Sequence, residues 1–192
     1  MTKEERSKQW HVQKLPVLIS NLTPRQQKDL NMLPFKVLED VKSTYIFGTT
    51  GSGKTIKALQ MMLSAMHNYY IEYKTMSAEF TSVIELLQSI KAAYDRTVRN
   101  SALTEEEIIT LYKNIPILVL DDFEVAKTTD WAYQILYLII NHRYEYDKLT
   151  IITSNASLEE LAEKMNDDRI PGRIQQMCRI VKTKDINFRE RS

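Results

Sequence analysis

From residue 43 onward, short runs of β-branched and aromatic residues alternate with longer stretches whose apolar positions recur every three or four residues. The first kind of run fits a buried strand, the second an amphipathic helix. Ser43 to Phe47 reads as a strand, Thr55 to Asn68 as a helix, Tyr70 to Thr75 as a second strand and Ala78 to about Tyr94 as a helix. Thr104 and Glu107 form a Thr-x-x-Glu capping box that opens a helix to about Lys113. Ile117 to Leu120 is a short apolar strand, Asp130 to about Tyr146 a helix, and Leu149 to Thr153 another buried strand. Ser157 and Glu160 repeat the capping box ahead of a helix to about Met165. A last helix near Ile170 to Met177 leads into a strand from Cys178 to Lys182. Five apolar strands separated by helices predict an α/β fold, with a parallel sheet covered on both faces.

Residues 1–42 read differently, as an N-terminal arm ahead of a core spanning 43–192. Pro16, Pro24 and Pro34 divide the arm into short pieces, and Thr23 is placed to cap a helix from Pro24 to Met32. No repeat or Gly/Pro/Ser-rich linker interrupts the rest. With 192 residues, one domain can bury roughly 70% of the surface its unfolded chain exposes. The 26 basic and 25 acidic residues leave a net charge of +1, so any nucleic-acid contact must come from a local patch rather than a global field. The single cysteine, Cys178, excludes an intramolecular disulfide or a multi-cysteine zinc site and fits a reducing, cytoplasmic compartment. The polar N-terminus lacks a signal-peptide stretch, and the longest apolar run, Ile135 to Ile140, is too short to span a membrane.

Glycine sharpens the picture. The chain has four, and three of them fall within Gly48-Thr49-Thr50-Gly51-Ser52-Gly53-Lys54-Thr55, a full match to G-x-x-x-x-G-K-[ST]. A predicted strand precedes this segment and a predicted helix follows it. The glycines let consecutive backbone N–H groups surround phosphate oxygens, and the helix start adds its unpaired donors and positive dipole end. Lys54 supplies a full charge to β- and γ-phosphates, and the Thr55 hydroxyl is placed to ligate Mg²⁺. ATP with Mg²⁺ is the implied ligand.

Two later segments complete the candidate site. Leu118 to Asp122 is an apolar strand ending in two carboxylates, and open parallel sheets place ligands at the carboxyl ends of their strands. Asp121 is the candidate for holding Mg²⁺, through water, and Asp122 for orienting or deprotonating the attacking water. A bland reading remains beside it, since acids often begin the turn after a strand. Thr153-Ser154-Asn155 ends the next strand, where the Asn155 amide could reach both the γ-phosphate and the attacking water; taken alone, it reads more simply as an asparagine in the turn before the Ser157-capped helix.

The ordered set Gly48 to Thr55, Leu118 to Asp122, Thr153 to Asn155 and Asp168-Arg-Ile-Pro-Gly-Arg173 resembles an AAA+ ATPase. More narrowly, it resembles the DnaC/IstB branch of replicative-helicase loaders and transposition helpers. The likeness is densest from Leu118 to Arg189 and takes in Asp130-Trp-Ala-Tyr, Ile140-Asn-His-Arg-Tyr and Asp185-Ile-Asn-Phe-Arg. The resemblance implies a three-layer, five-stranded parallel sheet with the Asn155 strand between the phosphate-loop and Asp121 strands. It makes Asn155 the sensor and Arg173 the arginine finger acting on a neighbouring subunit, with Arg169 a second candidate; the bland alternative pairs either arginine with a nearby acid. It also implies an ATP-dependent homo-oligomer, weak hydrolysis by an isolated subunit, and a replicative helicase or other DNA-processing protein as partner. Two departures stand out: Asp122 takes a place where many AAA+ members have glutamate, and after Arg173 the usual helical lid has no room.

Other features read as structure first. Lys91, Arg96 and Arg99 could approach single-stranded DNA but equally form a solvated helix end, and the same holds for Lys182, Lys184, Arg189 and Arg191. Met61, Met62 and Met66 sit at helical intervals and read as core fillers. Trp131 reads as a packing anchor, Cys178 as a small apolar residue, and the three histidines show no metal-ligand spacing. Three functions compete: a DNA-transaction ATPase of helicase-loader or transposition-helper type, a small-molecule kinase sharing the phosphate loop, and a nucleotide-gated binding protein with little turnover.

Overall fold

The computed structural model describes residues 1–31, 36–74, 77–94, 103–123 and 129–184, without the side chains of Asp29 and Tyr94. Five parallel strands, β1 (Thr44–Phe47), β2 (Ala78–Ser82), β3 (Ile117–Asp121), β4 (Leu149–Ser154) and β5 (Arg179–Lys182), form one sheet in the order β2-β3-β4-β1-β5. β4 therefore lies between β1 and β3, the arrangement the resemblance implied.

The period-2 alternation of strand side chains splits the core into two layers. On β3, Leu118 and Leu120 enter one cluster, with Tyr45 of β1 and Ile152 of β4. Ile117 and Val119 enter the other, with Ile46 and Ile151. The first layer is closed by α5 (Val83–Tyr94), α7 (Asp130–Glu145), α8 (Leu158–Met165) and α9 (Arg169–Met177). The second is closed by α4 (Lys54–Tyr73), whose Met61, Met62 and Met66 are buried as read. α6 (Glu105–Asn114) and α8 each begin with the expected capping box, Thr104 with Glu107 and Ser157 with Glu160.

One strand lies elsewhere than the sequence pattern suggests. Residues 70–73, read as the second strand, are the last turn of α4, and Thr75 lies outside the described residues. Met62, Met66 and Tyr70 recur every four residues on the buried side of that helix, so its packing carries it on until Lys74 adopts a left-handed conformation at φ +59°. The strand is instead Ala78–Ser82, the first part of what read as a helix. Among the described residues it sits at a sheet edge and pairs only with β3, and it is mostly half-buried and shows no apolar run.

The first 31 residues are helical: α1 (Lys3–Gln9), a π-turn over Trp10–Lys14, α2 (Leu15–Ser20) and α3 (Pro24–Asn31). Pro16 offers no N–H and its ring crowds the carbonyl four residues back, at Val12; the wider π-turn covers that position. Trp10 is fully buried in the α4 layer. Lys3 pairs with Glu72 at 2.6 Å, and the Tyr70 hydroxyl donates to Gln9 Oε1 at 2.7 Å. No described helix is long and apolar enough to cross a membrane.

Candidate nucleotide site

The strand registers bring the functional segments to one edge. Phe47 lies opposite Ser154 on one side and Lys182 on the other, while Leu120 lies opposite Ile152. The loop after β1, the Asp121-Asp122 pair at the end of β3 and Asn155 after β4 are thus neighbours at the carboxyl end of the sheet. Gly51 and Gly53 both take φ +82°, a conformation that side chains with a Cβ disfavour, and Gly53 turns the loop into the start of α4.

Lys54 is only 6% exposed. Its ammonium donates to the carbonyls of Gly48 (2.8 Å) and Thr49 (2.9 Å) and to Asn155 Oδ1 (2.7 Å). These three bonds hold the ammonium at the mouth of the loop, where an entering phosphate would meet it.

Asp121, 8% exposed, receives the Thr55 hydroxyl at 3.1 and 3.2 Å and the Thr153 hydroxyl at 2.5 Å. Burial chiefly raises its carboxyl above the ordinary range, the nearby Asp122 charge adds to that, and the two hydroxyls oppose it. A carboxylate this buried, beside the loop threonine, is a hard-oxygen donor set that fits a hydrated divalent cation shared with phosphate. Among the described residues no group of three or more His, Cys, Asp or Glu side chains could hold a metal ion by itself. Asp122 is exposed and left-handed at φ +50°, and its N–H donates to Thr153 Oγ1 at 3.0 Å. Phe123 N–H donates to the Thr153 carbonyl at 2.7 Å, turning the chain back into the core.

Thr153 thus joins both acids, a role the sequence reading did not assign to it. Its signal is a buried hydroxyl near the end of an apolar strand. The two candidate arginines lie together on α9, away from these groups in the hydrogen-bond network, and they differ. Arg169 is committed to Asp167 at 2.9 Å and lies over the Tyr133 and Tyr137 rings at 5.2 Å each. Asp167, also bound by the Tyr133 hydroxyl, is held well below the usual carboxylate range, chiefly by Arg169. Arg173 donates to Asn141 Oδ1 (2.9 Å) and Gln176 Oε1 (3.2 Å) and lies 4.7 Å over Tyr144, with no carboxylate partner among the described residues. Lys91, Lys182 and Lys184 are exposed; Arg96, Arg99, Arg189 and Arg191 fall outside the described residues. Cys178 is buried, and that burial pushes its thiol up to about 12, as expected of an inert packing residue.

The sheet order and the phosphate loop define a P-loop α/β domain. Within that class, the chain belongs to the IstB-like ATP binding protein family, whose model matches residues 17–192. It is 30% identical over 122 residues to the replicative helicase loader DnaI of Bacillus subtilis (strain 168), covering 62% of this chain and 35% of DnaI. It is 26% identical over 146 residues to the uncharacterized protein YqaM of the same organism, covering 73% of this chain and 42% of YqaM. The chain therefore spans less than half the length of either curated relative. Its fold is like that of the DnaC helicase loader, with a TM-score of 0.59 at 23% identity over 93% of this chain and 90% of that one. A DnaA replication initiator bound to AMPPCP and single-stranded DNA gives a TM-score of 0.56 at 17% identity, over 86% of this chain and 49% of DnaA.

Proposed function

We propose that this protein is a DnaC-type helicase-loader ATPase of DNA replication, with residues 43–192 as the ATPase core and 1–42 as an N-terminal arm. The observation that carries the reading is the linked set at the sheet edge: Lys54 bonded to Asn155, and Asp121 bonded to Thr55 and Thr153. In it, Gly48, Thr49, Thr50, Gly51, Ser52 and Gly53 present backbone N–H groups to the phosphates, and Lys54 turns from the Gly48 and Thr49 carbonyls to phosphate oxygens. Thr55 and Asp121 would hold Mg²⁺, which when bound neutralises charge on the β- and γ-oxygens. Asp122, exposed beside that cluster, orients a water toward the γ-phosphorus and receives its proton as ADP leaves. Asn155 reads the γ-phosphate through the amide that now contacts Lys54.

Arg173, without a carboxylate partner among the described residues, is the residue offered to the site of a neighbouring subunit in an ATP-dependent homo-oligomer. Arg169, already paired with Asp167, is not. A replicative helicase is the expected partner, with single-stranded DNA a further ligand and the cytoplasm the setting. The family description favours one second reading, a transposition helper, for which the retained partner would be a transposase. A kinase is disfavoured, because an Asp pair beside a sensor amide suits activation of water rather than of a second substrate.

The test is turnover against protein concentration. Wild-type hydrolysis should rise more steeply than linearly as subunits assemble. Arg173→Ala should keep its ATP affinity and lose that rise, with a fall of roughly 10³ in rate at saturating assembly. Unchanged turnover in the variant would remove the finger assignment.

A further inference from the structure

Thr183 stands one residue beyond β5, outside the phosphate-loop motif, yet it touches both shoulders of the loop. Its N–H donates to the Phe47 carbonyl at 2.8 Å, carrying the β1–β5 ladder one step past the Phe47–Lys182 pairing. Its hydroxyl donates to the same carbonyl at 3.1 Å. A hydroxyl has one proton to give, so in the 2.7 Å contact between Ser52 Oγ and Thr183 Oγ1 the serine is the donor. The bonds run in one direction, from the Ser52 hydroxyl to the Thr183 hydroxyl to the last carbonyl of β1. Ser52 is accordingly only 7% exposed although it sits in the middle of a surface loop. At the other shoulder, a Cβ on Gly48 would overlap Thr183 Oγ1 and lie 3.4 Å from Thr183 Cβ.

The geometry points to Thr183 as a positioning residue that sets the width of the phosphate loop from outside it and keeps the loop formed before a nucleotide arrives. The inference rests on the ATP-binding reading of that loop. Lys54 ties the loop from within, through the Gly48 and Thr49 carbonyls, and Thr183 ties it from the β5 side, through Ser52. A phosphate nest works only while its N–H groups converge, and a loop already ordered loses less conformational freedom on binding. Thr183 contributes this without touching the ligand, so its removal should affect nucleotides through their phosphates and leave the fold intact.

Thr183→Val keeps the side-chain shape and the ladder N–H but removes the acceptor for Ser52. By titration calorimetry, affinity for Mg-ATP and Mg-ADP should both fall by roughly three- to tenfold, the worth of one hydrogen bond. The melting temperature should stay near wild type. Thr183→Ser, which retains the hydroxyl, should restore binding. Without any nucleotide, amide hydrogen exchange at Gly51 to Lys54 should speed up in Thr183→Val and not in Thr183→Ser. Should the valine variant fold poorly, Ser52→Ala cuts the same bond from its other end, and its loop amides should exchange faster in the same way. Wild-type affinity and exchange in the valine variant, or a serine variant as weak as valine, would overturn the inference. If wild type itself bound neither nucleotide, the site reading would fail while the exchange comparison still decided the role of Thr183.

Discussion

Two buried cations sit at opposite ends of the sheet and show what burial does and does not say about function. Arg143, on α7, is 0% exposed at the amino end. Its guanidinium donates to Thr150 Oγ1 (2.9 Å), to the carbonyls of Tyr112 (2.9 Å) and Ile115 (2.9 Å), and to that of Leu149 (2.7 Å). It thereby closes the end of α6 and the starts of β3 and β4, with carbonyls from a helix C-terminus offsetting its charge. Burial lowers it to about 10, so it still carries its proton at neutral pH. Lys54, at the carboxyl end, donates to the Gly48 and Thr49 carbonyls and to Asn155 Oδ1. The difference lies in the acceptors. Those of Arg143 belong to packed strand and helix ends and cannot leave, while those of Lys54 belong to a loop and an exposed amide that a phosphate can replace. Exchangeable partners, rather than burial, mark the functional cation.

Substitution should separate the two cations cleanly. Lys54→Ala should weaken Mg-ATP binding at least about a hundredfold, the loss of a charge-assisted contact in a partly desolvated loop. Its melting temperature without nucleotide should stay within a few degrees of wild type, and the stabilisation by Mg-ATP should vanish. Arg143→Met should do the reverse. It leaves several carbonyls without donors, costing about 3–5 kcal/mol and lowering the melting temperature by roughly 10 °C, with nucleotide affinity nearly unchanged where the protein is folded. An Arg143 variant that kept its stability but lost ATP would erase the distinction. The smallest effect falls on Asn155→Ala, which removes one exchangeable acceptor from Lys54. Affinity should shift by only a few fold, while turnover, measured by phosphate release, should drop further than affinity.

Legibility in the sequence followed the same divide between local and distant partners. β1, β3 and β4 were readable because their apolar runs are buried in the core, β5 because Ile180 and Val181 form a β-branched pair although that strand is mostly exposed, and the capping boxes because the paired residues lie three apart. β2 was not, since Ala78-Glu-Phe-Thr-Ser82 carries no apolar run, while the preceding end of α4 carries Tyr70 and Ile71, which mimic one. The N-terminal helices before Pro16 also went unread, because a π-turn accommodates a proline that ordinarily breaks a helix. At the site, Gly48 to Thr55 and the Asp121-Asp122 pair could be recognised as contiguous motifs. The bond between Thr153 and Asp121 joins residues 32 apart and that between Ser52 and Thr183 residues 131 apart. Only the strand order brings those pairs together, and a hydroxyl residue at a strand end says nothing alone about which loop it will meet. Arg143 was visible as part of a family-like segment, but its burial depended on where α6 ends.

The most direct test of the central claim is calorimetric titration of Mg-ATP into the folded wild-type protein, with Lys54→Ala alongside. The loop geometry predicts saturable one-site binding to wild type and none to the variant over the same range. Folded wild-type protein that took up no Mg-ATP, or a Lys54→Ala variant that bound it equally well, would contradict the account.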